Sequence, residues 1–90
     1  MAKRSEYAPA KKHVKLTVGD SVRIARELQG MTQLELSNAS GIPQGTISAI
    51  EKNKINLGAE RARLLARALK THPAVLLFPD WENEELAETA

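Results

Sequence analysis

No cysteine occurs at any of the 90 positions. That absence excludes disulfides, thiolate metal sites and cysteine nucleophiles together, and it is compatible with a reducing cytosol. Aromatic residues are almost missing too: Tyr7, Phe78 and Trp81 are all there are. A core must therefore be built from Leu, Ile, Val and Ala, which suits short packed helices, because strands draw on more aromatic and β-branched residues. No apolar run approaches the roughly 20 residues of a membrane span, and the basic N-terminus is not followed by a signal-like apolar stretch. A cytoplasmic protein without membrane contact is the expectation. The only histidines, His13 and His72, have no partner pattern around them, and the chain contains neither a phosphate-cradling glycine loop nor a metal-spaced cluster. Catalysis, a bound metal and a cofactor are not expected.

What is present reads as one small folded domain with tail to spare. Hydrophobic residues make up 42% and charged ones 27%, a balance that folds rather than stays disordered, and a second domain is not expected at this length. The net charge of +2 says little about partners, but its distribution says more. Lys3, Arg4, Lys11, Lys12 and Lys15 crowd one end, and Asp80, Glu82, Glu84, Glu85 and Glu88 the other. Two readings stand: a pair of solvated tails, or a basic arm that meets nucleic acid with the acidic tail turned away.

Residues 1–16 lack a helical period and contain Pro9, which reads as a flexible arm. Val14, Leu16 and Val18 alternate with polar residues as a short extended segment would, although one strand alone is not stable. From Val18 the apolar spacing becomes helical through Val22, Ala25 and Leu28, with Thr17 placed to cap the start and Gly30 to end it. Thr32 and Glu35 form a capping box, so a second helix begins there and ends near Ala39 at Gly41. Pro43 opens a third helix over 43–52, with Ile47 and Ile50 as its apolar face. Asn56 is a candidate cap for a fourth, burying Leu65, Ala68 and Leu69 with Arg61, Arg63 and Arg67 outside. Pro73 starts a short fifth helix over 74–78 that Pro79 closes. Two short helices joined around Gly41 are the local grammar of a helix-turn-helix.

The stretch Thr32-Gln33-Leu34-Glu35-Leu36, followed by Gly41-Ile42-Pro43-Gln44-Gly45-Thr46-Ile47-Ser48-Ala49-Ile50-Glu51, resembles the helix-turn-helix of the phage-repressor-like, or Xre, family. The resemblance runs in register from Val18 to Phe78. It implies an all-α, five-helix lambda-repressor-like domain over 17–81, between a flexible basic arm over 1–16 and an acidic tail over 82–90. By the same resemblance the helix over 43–52 enters the major groove. Gln44, Gly45, Ser48 and Ala49 would then read bases, with Gln44 suited to adenine and Ala49 to a thymine methyl. Gly45 and Ala49 offer little hydrogen bonding where relatives often carry longer polar side chains, which leaves more of the selectivity to DNA shape and to the arm.

Gln33, Thr46, Lys52, Asn53, Lys54 and Asn56 correspond to phosphate contacts, Gln33 through the N-terminal end of its helix. The bland alternatives are a solvated helix start at Gln33 and plain surface charges at the lysines. Lys11, Lys12 and Lys15 are the arm's candidates. Ser37 is small where the two helices approach most closely, and Arg26 and Glu51 align with a buried ion pair between the first and third helices. The segments 55–58 and 72–79 resemble the antitoxin-like (HigA-like) branch, small regulators made beside an RNA-cleaving toxin of the RelE/HigB type. Val75, Leu76, Leu77, Phe78 and Trp81 are then candidates for a dimer or partner surface, the alternative being that they fold back on the core. The expected partners are double-stranded DNA, a second copy of the chain and such a toxin. A stand-alone phage-type or host repressor with no toxin partner is the alternative.

Overall fold

A computed structural model describes residues 15–79, and among them there are five α-helices and no strand. The helices are α1 (Val18–Leu28), α2 (Gln33–Ser40), α3 (Gln44–Glu51), α4 (Gly58–Leu69) and α5 (Pro73–Leu77). Lys11, Lys12, Trp81, the acidic tail and most of the arm lie outside the described residues.

Capping explains where the first two helices begin. Thr17 accepts from the Asp20 backbone N–H while the Asp20 carboxylate accepts from Thr17, a second capping box beside the anticipated one at Thr32 and Glu35. Val18 is therefore helical rather than part of an extended segment, which corrects the alternation seen in Val14, Leu16 and Val18. Pro43 stands one residue outside α3 as its cap, and Lys52 closes the helix, so α3 is one residue shorter at each end than expected. Asn56 does not cap α4. Leu57 occupies that place without a side-chain bond, its side chain inserted in the core. The His72 ring caps α5, its Nδ1 accepting from the Ala74 N–H at 3.0 Å.

The core is aliphatic, as a chain short of aromatics requires. Val22 of α1, Leu36 of α2, Ile47 and Ile50 of α3, Ala62, Leu65, Ala66 and Leu69 of α4 and Leu76 of α5 converge with Ile42 and Leu57 from the connections. Each fully buried Leu, Ile or Val side chain gives about 1.5–3 kcal/mol on leaving water, so this cluster is the main stabilising element. Ala68 only borders it. Leu28, expected on the inner face of α1, is 81% exposed at the last residue of that helix. α5 lies chiefly on α4 and also touches α1, while α3 is held between α1 and α2.

Candidate nucleic-acid interface

The two helices of the motif are joined by a turn with its own hydrogen bonds. Gly41 ends α2 in the left-handed conformation (φ 81°), which costs a glycine nothing, and its N–H donates to the Ser37 carbonyl at 2.9 Å. The Ser37 hydroxyl then reaches across the turn and donates to the Ile42 carbonyl at 2.6 Å, while Ile42 itself is buried. Ser37 is thus more than small. It bonds the end of α2 to the entry of α3.

Burial of Ile47 and Ile50 decides which way α3 faces. At 100° per residue, the side opposite them carries Gly45, Ser48 and Ala49, with Gln44 at the exposed start and Thr46 half-buried on the flank. Gln44 and Gly45 are exposed, Ser48 and Ala49 half-buried. No side chain caps α3, so the N–H groups of its first residues find no partner within the helix, as is true of Gln33 and Leu34 at the start of α2. Both ends carry partial positive charge suited to an anion. Lys52, Lys54 and Asn56 are exposed immediately beyond α3.

Behind this face lies a buried polar network. Arg26 of α1 donates from Nε to Glu51 Oε2 at 2.7 Å and from Nη2 to Glu51 Oε1 at 3.1 Å, with its side chain 12% and that of Glu51 4% exposed. The third guanidinium nitrogen donates to the Met31 carbonyl at 2.8 Å. Hydrogen bonding to Glu51 holds the Arg26 guanidinium above its already high range, so Arg26 stays charged. Gln33 joins as well: its Nε2 donates to Glu51 Oε1 at 3.0 Å. The amide nitrogen of Gln33 therefore faces inward.

Asn53, expected among the phosphate contacts, turns its side chain toward α1 instead. Its Oδ1 accepts from the Gly19 N–H and its Nδ2 donates to the Thr17 hydroxyl, each at 3.0 Å. Sequence reading missed this and two further positions. Gly19 packs against the end of α3, and the Ser21 hydroxyl reaches the Leu76 carbonyl at 2.8 Å, tying α1 to α5. Their partners lie 31 to 55 residues away and leave no local signal.

The apolar run near the C-terminus divides. Leu76 is fully buried and does not belong to any partner surface, which corrects its assignment; Leu77 is half-buried. Val75 and Phe78, at 52% and 58% exposed, face outward. A five-residue helix has room for one inward residue per turn, and Leu76 occupies it.

The sequence profile of a family described as helix-turn-helix matches residues 22–76, from within α1 to within α5. The chain belongs to this helix-turn-helix family. It is similar to an uncharacterized HTH-type transcriptional regulator of Sinorhizobium fredii, 34% identical over 71 residues that cover 79% of this chain and 49% of that protein. The chain thus spans about half the length of the curated relative it matches. Among solved structures, the P22 c2 repressor protein, in complex with synthetic operator 9T in the presence of Tl+, aligns with a TM-score of 0.66 at 25% identity, covering 71% of this chain and 97% of that one. The helix-turn-helix domain thus has the lambda-repressor-like arrangement of five helices. Among the described residues no group of His, Cys, Asp and Glu is placed to hold a metal, and no helix is long and apolar enough to cross a membrane.

Proposed function

We propose that this chain is a sequence-specific DNA-binding transcriptional regulator of the repressor type that lays α3 in the major groove. The observation that carries the reading is the outward face of α3, where Gln44, Gly45, Ser48 and Ala49 stand opposite Ile47 and Ile50 on a helix anchored from behind by Glu51. The likeness to a repressor described with its operator supports it. Gln44 bonds adenine and Ala49 meets a thymine methyl. The start of α2 at Gln33, together with Thr46, Lys52, Lys54 and Asn56, takes phosphates, which set register without specifying sequence. Lys11, Lys12 and Lys15 of the arm over 1–16 contact flanking DNA. With one long polar side chain on the reading face, selectivity depends substantially on DNA shape. Selection of bound sites from a random duplex library tests this: recovery of a common motif supports it, and recovery of none removes it.

The regulator acts as a homodimer whose recognition helices enter successive major grooves about 34 Å apart. Val75 and Phe78 are the apolar residues offered for the contact. The finer reading, an antitoxin that autoregulates its operon and holds a RelE/HigB-type toxin, rests on the resemblance in segments 55–58 and 72–79. Its test is co-purification from cells: an RNA-cleaving partner retained on the chain supports it, and recovery of the chain alone argues against it.

A further inference from the structure

Asn53 sits between Lys52 and Lys54, just past the end of α3, with a left-handed backbone (φ 61°) that few non-glycine residues adopt. That backbone aims its amide at the start of α1, where it bonds both the Gly19 N–H and the Thr17 hydroxyl. Thr17 is the point at which the basic N-terminal segment joins the domain. Lys15, exposed, precedes it by two residues, and two residues of chain reach no further than about 7 Å.

We infer that Asn53 is a positioning residue that anchors the root of the N-terminal segment beside the end of α3, so that Lys15, Lys52 and Lys54 form one phosphate-binding track. The inference rests on the DNA-binding reading above and adds a device to it. The Thr17–Asp20 capping box already orders that root on α1, and the two hydrogen bonds of Asn53 tie it to the end of α3 as part of folding, before any DNA is bound. The amide also supplies an acceptor to one of the N–H groups that α1 cannot satisfy internally, so the same side chain caps one helix and follows another.

The test separates anchoring from DNA binding. Asn53→Gly removes the amide while keeping the left-handed backbone accessible. Because the chain has no cysteine, Lys15→Cys accepts a single spin label. The expected result without DNA is strong broadening of the 52–54 backbone amide signals, measurably weakened in Asn53→Gly and restored by Asn53→Asp, which keeps an acceptor for the Gly19 N–H. Broadening that Asn53→Gly leaves unchanged, or that Asn53→Asp fails to restore, overturns the anchoring role. With a library-selected duplex, Lys15→Gln should lower the salt slope by about 0.9, the loss of one phosphate contact, and by less than half of that when Asn53→Gly is also present. Equal losses in both backgrounds overturn the shared track. Wild-type protein that binds neither the selected duplex nor a random one overturns the DNA reading and the track with it.

Discussion

Gly19 of α1 lies so close to the Glu51 carbonyl of α3 that a Cβ built on it would stand 2.5 Å from that oxygen, with the Ile50 carbonyl equally near. The obstruction is backbone, so it cannot swing aside. The positive N-terminal end of α1 is thereby brought against the negative C-terminal end of α3.

Gly19→Ala is expected to destabilise the domain by about 1–3 kcal/mol through overpacking, despite the better helix propensity of alanine. Urea unfolding measures it. Stability equal to or above wild type would show that the helices separate at no cost.

Arg26→Ala and Glu51→Ala should each cost about 3–5 kcal/mol, because either change leaves the other charge buried without its partner. Replacing both with apolar residues of similar volume should cost less than the worse single change, although Gln33 and the Met31 carbonyl would still lose a partner. A double variant no more stable than that single one would contradict a desolvated ion pair.

The Asp20 carboxyl titrates below its ordinary 3.8, chiefly because its carboxylate accepts the Thr17 backbone N–H, with help from the Thr17 hydroxyl and Arg23. A folded-state value lower than the unfolded one means that the carboxylate stabilises the fold above the unfolded value and loses that effect as pH falls through the folded one. Denaturant curves of wild type and Asp20→Asn are therefore expected to differ at pH 6 and to converge below pH 3.8. A constant difference across that range would mean that the charge of Asp20 contributes nothing.

Two apolar residues at the end of α5, Leu76 and the capping Phe78, should behave oppositely. Leu76→Ala removes a fully buried side chain and is expected to cost about 2–5 kcal/mol. Phe78→Glu should leave monomer stability within about 0.5 kcal/mol, as surface changes usually do, while weakening self-association in sedimentation. A Phe78→Glu chain as dimeric as wild type would move the proposed dimer contact elsewhere.

On DNA, Gln44→Ala should weaken the selected site by about 1–3 kcal/mol and spare random duplex. Lys54→Ala should weaken both and lower the salt slope by about 0.9. Equal losses for Gln44→Ala on the two duplexes would remove it from base reading.

The sequence by itself determined the elements whose causes are local. Thr32 and Glu35, Gly41 and Pro43 act within three to five residues, and the spacing of Ile47 and Ile50 marks the inner face of α3 before any partner is known. The outward face follows by exclusion, which is why the helix-turn-helix was legible. Tertiary structure alone decided the rest. Asn53 turns to α1 rather than outward because its bonding partners lie 34 and 36 residues earlier. Leu57, not Asn56, stands at the start of α4 because the core takes its side chain, and α5 is too short for any period to tell Leu76 from Val75. Local hydrogen bonds and periodicity are encoded along the chain, but which side chain fills a space between helices depends on surfaces that exist only once those helices have packed.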